Sequence, residues 1–320
     1  MSRRRRETGV AWEPPQPAQP VTVKVASPKR PSVLGGRWKT AALLPDPQFG
    51  FRFLHDHTLD PFHDERALSV ARQIVEAERP DVTIWLGDVL DLPMFGKYRQ
   101  EPTFALTFQP ALDRAHEELA VVAALSKSSR YLSGNHDERL HFAAIDNLHA
   151  AQGVRRAKAP ADEYPALSVP NLLRLNELGV EWVGGYPAGA TYLNDVFAAI
   201  HGVKVGNNRQ SAATMVVEDE RVSVAFGHVH RIETTYRTRN SRGAPIYTVA
   251  HSPGCLCRND GGVPSVKSGL DPFGRPIKSW ENWQHGITIV RYTEDGLVAP
   301  LESIPIFEGW TLHRGQEFRA

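Results

Sequence analysis

Sulfur is scarce in this 320-residue chain, which has two cysteines and three methionines. Cys255 and Cys257 stand too close together for an ordinary structural disulfide, and no Cys/His set with zinc-site spacing surrounds them, so both thiols are expected to be reduced and unpaired. Long hydrophobic runs are also missing. No apolar stretch approaches the roughly 20 residues of a membrane span, and the first residues lack the hydrophobic segment a secretory signal needs. A cytoplasmic protein with no membrane partner is therefore expected. An excess of charge of one sign is missing too: Lys plus Arg number 37 and Asp plus Glu 36, a formal net charge of +1. That balance excludes a whole-molecule drive toward nucleic acid and makes any basic surface local. No repeat period is present, and nothing in the sequence specifies an oligomeric state.

What is present is enough apolar sequence, 41% of residues against 23% charged, to bury one large domain or two small ones. Residues 1–36 are the exception. They carry Arg3 to Arg6 and the prolines Pro14, Pro15, Pro17, Pro20, Pro28 and Pro31, with little to bury, so a disordered arm is expected. Its arginines read either as a phosphate-binding tail or as a solvated terminus. Residues 37–320 are expected to form one domain, with a Gly/Pro-rich surface insertion at about 255–279.

Within that domain, apolar strands at 39–44, 82–86 and 130–132 alternate with helical periodicity at 60–79 and 111–126, the pattern of an α/β sheet covered by helices. Residues 93–110 read as a loop rich in aromatics. Further helical stretches are predicted at 138–150 and 169–178. After Gly179 the period shifts to strands at 180–183, 196–200, 222–226, 232–237, 245–249 and 286–291.

Polar residues gather immediately after the buried strands. Asp46 and Gln48 follow the first, Asp88 and Asp91 the second, Asn135 and His136 the third. His201 follows 197–200, and His228 and His230 follow 222–226. Any one of these is ordinary turn chemistry; five strand ends carrying oxygen or nitrogen donors are not an ordinary pattern. Carboxylate, amide and imidazole without thiolate suit Mn²⁺, Fe or Zn²⁺. One carboxylate reachable from both sides can bridge two cations held ~3.5–4 Å apart, a separation that clamps a phosphoryl oxygen.

The ordered motifs Asp46-Pro47-Gln48, Gly87-Asp88 to Asp91, Gly134-Asn135-His136-Asp137, His201 and Gly227-His228-Val229-His230 resemble the five-part signature of the calcineurin-like metallophosphoesterases. The match spans about 43–231. The resemblance implies an α/β fold, a four-layer α/β/β/α sandwich of two mixed sheets flanked by helices. It implies two divalent metal ions, with Mn²⁺ expected and Fe, Zn²⁺, Ni²⁺ or Mg²⁺ open. Asp46, Gln48 and His230 with Asp88 would hold one, and Asn135, His201 and His228 with Asp88 the other. It further implies in-line attack on phosphorus by a metal-bound hydroxide, with His136 as proton donor oriented by Asp91. The first motif usually ends in His; Gln48 is a neutral, weaker donor and shifts the first position toward a harder ion. Leu92-Pro93 replace the Arg-Gly of the protein phosphatases, which disfavours a phosphoprotein substrate. Together with Arg3 to Arg6 and the loop bearing Arg155, Arg156 and Lys158, this leans toward a phosphodiester, DNA or RNA, as in the nuclease branch of the superfamily. A phosphomonoesterase, a small cyclic-nucleotide phosphodiesterase and a non-catalytic binding protein with a vestigial site stay open as alternatives.

Overall fold

The strand Val82–Trp85 is buried along its whole length, as a central parallel strand must be when both faces of its sheet are covered. The computed structural model describes residues 37–96, 101–203, 222–264 and 281–320. The expected arm at 1–36 and most of the expected insertion lie outside the described residues. In chain order the elements are β1 (Lys39–Leu44), β2 (Phe51–Phe53), β3 (Leu59–Pro61), α1 (Glu65–Glu78), β4 (Val82–Trp85), α2 (Phe108–Leu125), β5 (Ser128–Leu132), α3 (Arg139–Asn147), α4 (Val169–Leu172), α5 (Leu175–Leu178), β6 (Val180–Val183), β7 (Ala190–Asn194), β8 (Phe197–Ile200), β9 (Ser223–Phe226), β10 (Ile232–Ser241), β11 (Ala244–Pro253), β12 (His285–Tyr292), β13 (Glu302–Ile306), β14 (Trp310–His313) and β15 (Gln316–Arg319).

Two mixed sheets carry the fold. One runs β13-β12-β1-β4-β5-β6 and the other β10-β11-β9-β8-β7. In the first, β1, β4, β5 and β6 are parallel neighbours; in the second, β8 and β9 are parallel. Leu43, Ile84 and Leu132 from one sheet pack with Phe197, Ala199 and Ala225 from the other, so the inner faces share a core. On the far side of the six-stranded sheet, Leu68, Ile74, Leu112 and Leu119 of α1 and α2 pack over Leu44, Trp85 and Tyr131. The opposite face of the five-stranded sheet buries Val224, Phe226, Val229 and Ala250, with no described helix in that cluster. The described residues thus give helices on sheet on sheet.

Local chemistry accounts for the differences from the predicted elements. The helix predicted at 60–79 starts only at Glu65, because Asp64 is extended and its side chain caps the Ala67 amide while Leu59–Pro61 pairs with Phe51–Phe53. It ends where Arg79 turns left-handed at φ 44°. The helix predicted from 111 begins at Phe108, since Pro110 falls in a first turn that needs no amide donor. The helix predicted at 169–178 is two short ones, broken where Arg174 sits at φ 55°. Three described aromatics of 93–110 pack against other rings: Phe104 is buried and meets Phe62 edge-on, and Phe95 meets Phe108.

Much of the described part of the insertion expected at about 255–279 is buried. Cys255, Leu256, Cys257 and Val263 are buried, and Leu256 donates its amide to the Asp46 carbonyl at 3.2 Å. The segment packs as core between the first strand's end and β12.

The C-terminal hairpin β14–β15 is locked to α1 by charge. Glu78 accepts from Arg291 at 2.8 Å and His313 at 2.7 Å and forms an ion pair with Arg314 at 3.2 Å, and Arg291 also pairs with Glu302. The side chains of Glu78 and Arg291 are 7% and 9% exposed. Removing one partner of a pair this buried costs about 3–5 kcal/mol. Glu78→Ala is therefore expected to lose that much stability in urea unfolding while leaving the strand tips in place; a loss under about 1 kcal/mol would mean the network acts as a surface one.

Candidate active site

The parallel strands aim their ends at one place. Asp46 and Gln48 leave β1, Asp88 and Asp91 leave β4, Asn135 and His136 leave β5, His201 leaves β8, and His228 and His230 leave β9. Chain ends at the carboxyl edge of parallel strands converge because successive crossovers return the chain to the same side. Backbone strain is concentrated there: Asp46, Gln48, Asp88, His228 and His230 all have φ between 38° and 70°. Non-glycine residues in this region cost about 1–3 kcal/mol each and persist where surrounding structure imposes them. Two glycines permit the crowding. A Cβ on Gly134 would collide with the Asp88 carboxylate and amide, and one on Gly87, at φ +94°, would come within 2.5 Å of His201 Nδ1.

Asp88 stands at the centre and is 1% exposed. Its Oδ1 accepts from the His136 amide at 2.7 Å, and its Oδ2 lies 3.3 Å from His201 Nε2 and 3.8 Å from His136 Nε2. His201 donates Nδ1–H to the Leu86 carbonyl at 2.7 Å, leaving Nε2 to face Asp88 and, at 3.1 Å, Asn135 Oδ1. The His228 ring is 5.2 Å from that of His201. Ligand atoms of Asp88, His201 and His228 fall within 4.8 Å of one another, a spacing that can hold a metal ion. A second group adjoins it: His230 Nε2 lies 3.4 Å from Asp46 Oδ1 and 3.5 Å from Gln48 Nε2. Asp46 also accepts the His228 amide, and the Gln48 amide donates to the Asp88 carbonyl at 3.0 Å, tying the two groups together.

The electrostatics suit cations. Burial lowers the pKa of His201, but the Asp88 charge and its hydrogen bond outweigh burial and raise it to about 9. Burial and the His201 charge push His228 down to about 4, so its ring is neutral with a free lone pair. Burial opposes ionisation of Asp88, yet His136 and His201, when protonated, hold its carboxyl well below the usual range. Gln48 Oε1 is buried with no hydrogen-bond partner among the described residues, an arrangement that costs about 1–3 kcal/mol unless an acceptor-seeking group meets it. An amide oxygen left bare among imidazole and carboxylate donors fits a divalent cation.

His136 stands apart from these ligands. Its Nδ1 is 2.5 Å from Asp91 Oδ1, so the carboxylate fixes the ring by taking Nδ1–H. Every predicted site residue thus falls in one cluster. Three neighbours were not predicted. Asp137 accepts from the Leu90 amide, the Tyr131 hydroxyl and the Gly134 amide at 2.7–2.9 Å, clasping the turn that carries His136. Arg139 donates to the Asp91 carbonyl at 2.5 Å and from Nη2 to His136 Nε2 at 3.0 Å. Cys257 Sγ lies 3.8 Å from His230 Nδ1. Asp137 and Arg139 could have been found from helical reach around His136; the cysteine could not, since only the fold brings it there.

Glu78, Glu302 and His313 also come within ligand distance of one another, but Arg291 and Arg314 already neutralise them. In the basic loop, Arg156 is paired in a fork with Glu163. Among the described residues no helix is long and apolar enough to cross a membrane.

No family model matches the sequence, and no curated protein does. Among solved structures the chain is similar to YfcE, a phosphoesterase from E. coli, at 11% identity and a TM-score of 0.33, over 82% of this chain and 98% of that one. It is similar to TT1561 of Thermus thermophilus at 10% identity and a TM-score of 0.27, over 70% of this chain and 91% of that one. Both overlaps are loose, and the site's own residues carry the functional reading.

Proposed function

We propose that the chain is a metal-dependent phosphoester hydrolase of the metallophosphoesterase type, acting in the cytoplasm on phosphodiesters, with a nucleic acid as the preferred class. The observation that carries it is the position of Asp88, buried between His201, His228 and the His136 turn, beside a second donor group of Asp46, Gln48 and His230. Two divalent cations, Mn²⁺ first among them, would supply Lewis-acid activation of water and neutralise phosphoryl charge. Asp46, Gln48, His230 and Asp88 would hold one; Asn135, His201, His228 and Asp88 the other. The four-layer sandwich of that type is the fold in which this arrangement is expected to be complete.

The remaining chemistry belongs to protein groups. Asp91 keeps Nδ1–H of His136 occupied, so Nε2 is the nitrogen that hands a proton to the departing oxygen. At rest Nε2 accepts from Arg139. A phosphoryl oxygen is a better acceptor for a guanidinium than an unprotonated ring nitrogen, so an entering ester draws Arg139 away and leaves Nε2 free to take up a proton from solvent and then hand it to the departing oxygen. A hydrogen bond to a charged group contributes about 1.5–3 kcal/mol, and Arg139→Met is accordingly expected to lower kcat/KM about 10–100-fold with metal content unchanged. An unchanged kcat/KM in metal-replete Arg139→Met would remove the arginine from the reaction.

The phosphodiester preference draws on Leu92-Pro93 after Asp91 and on Arg3 to Arg6 and Arg155. A polyanion loses affinity as salt screens its phosphates and counterion release weakens. Cleavage of DNA or RNA should therefore fall steeply between low and high salt, while turnover of bis-p-nitrophenyl phosphate changes little. Brisk hydrolysis of a mononucleotide or cyclic nucleotide, with no Mn²⁺-dependent cleavage of any DNA or RNA, would move the assignment to a small substrate.

A further inference from the structure

The chain's two cysteines, separated by one residue, are both free and fully buried, and both lie beside the same histidine. Cys257 Sγ is 3.8 Å from His230 Nδ1, and the ligand atoms of Cys255, Cys257 and His230 all lie within 4.8 Å of one another. Sulfur and imidazole nitrogen bound tetrahedrally to one zinc-sized ion would be roughly 3.5 Å apart, given bonds of about 2.3 and 2.0 Å, so the group needs little movement to close. The other edge of His230, Nε2, faces Asp46 and Gln48, and Trp283 stacks edge-on against the ring at 4.2 Å. His230 is therefore one imidazole between two donor sets of opposite character. One set is oxygen-rich and hard; the other is two sulfurs.

We propose that Cys255, Cys257 and His230 Nδ1 form a separate site for a thiophilic divalent cation such as Zn²⁺, back to back with the oxygen and nitrogen donors of the hydrolytic centre. Soft thiolates select such an ion against Mn²⁺ or Mg²⁺. Two thiolates, a neutral imidazole and a divalent cation sum to zero charge, which is what a fully buried location tolerates. On binding, two S–H bonds break, two metal–sulfur bonds form and two protons leave to solvent, with no change of oxidation state. A neutral imidazole has one lone pair to give, so an ion on Nδ1 places the ring proton on Nε2 and takes His230 from the first hydrolytic cation. A thiophilic metal is thus an inhibitor built into the back of the site. This last step rests on His230 being a ligand of the hydrolytic centre.

Cd²⁺ is the probe. Added to the metal-stripped full chain, both folded and during refolding, it is expected to produce a thiolate-to-metal ultraviolet band that saturates at one Cd²⁺ per chain. Cys255→Ser and Cys257→Ser should each remove half of the band or more. Should either variant fail to fold, cadmium NMR of the unaltered chain decides, with a resonance in the thiolate region expected. No band and no such resonance at stoichiometric Cd²⁺, or a band indifferent to both substitutions, would overturn the site. Bound Mn²⁺ counted by paramagnetic resonance should drop by one when Cd²⁺ enters. Retention of every Mn²⁺ beside a thiolate signal would overturn the sharing of His230. A chain that never binds Mn²⁺ contradicts the hydrolase reading, while the thiolate signal still decides this site.

Discussion

Asp88→Asn is expected to lose at least one bound divalent cation and about 10³-fold or more of turnover, with the fold intact. The substitution is nearly isosteric, and the amide oxygen can still accept from the His136 amide, which now meets Oδ1 at 2.7 Å. What disappears is the negative charge. That charge, against burial, is what raises the pKa of His201 to about 9, so in the metal-free variant His201 should titrate lower, a shift that histidine NMR reads directly. The neutral side chain would also turn an N–H toward His201 Nε2, now 3.3 Å from Oδ2, and occupy the lone pair a cation needs. Active Asp88→Asn protein that holds both cations at full occupancy would sink the placing of Asp88 at the centre.

His136→Ala should behave in the opposite sense toward metal. His136 contacts Asp88 through its backbone amide, which alanine keeps; its ring is hydrogen-bonded to Asp91 and Arg139 and comes only within 3.8 Å of Asp88 Oδ2. Metal content is therefore expected to be unchanged while kcat falls about 10²–10⁴-fold, the usual contribution of a placed proton donor. The loss should depend on the leaving group, since an alkoxide needs the proton and p-nitrophenolate does not. Rates for an alkyl and a p-nitrophenyl ester of the same phosphate separate the cases. Equal losses on both would give His136 a positioning role instead.

Most of the cluster was legible in the sequence because its ligands follow strands buried on both faces, and such strands announce themselves as unbroken apolar runs. Leu43-Leu44 before Asp46 and Ile84-Trp85-Leu86 before Asp88 are of this kind. Elements set by capping or by pairing were less legible. The helix α1 starts after Asp64 rather than at residue 60, since Leu59–Pro61 pairs with β2. Strands β2, β3, β7, β13, β14 and β15 were missed: they are short and partly exposed. The left-handed backbone at Asp46, Gln48, Asp88, His228 and His230 had no signal at all, since none of these residues is glycine and the strain is imposed by tertiary contacts. Cys257 against His230 is a contact across 27 positions of sequence, and no local pattern specifies it.

The central claim is that the oxygen and nitrogen donors around Asp88 make a phosphoester hydrolase, and the most direct measurement is turnover of bis-p-nitrophenyl phosphate by the metal-stripped chain as Mn²⁺ is added back. The account predicts no turnover without metal and a rate that rises to a plateau at about two Mn²⁺ per chain, the number a shared carboxylate bridges. No turnover at any loading of Mn²⁺, Zn²⁺, Ni²⁺ or Mg²⁺, in protein that folds and binds those ions, would contradict it.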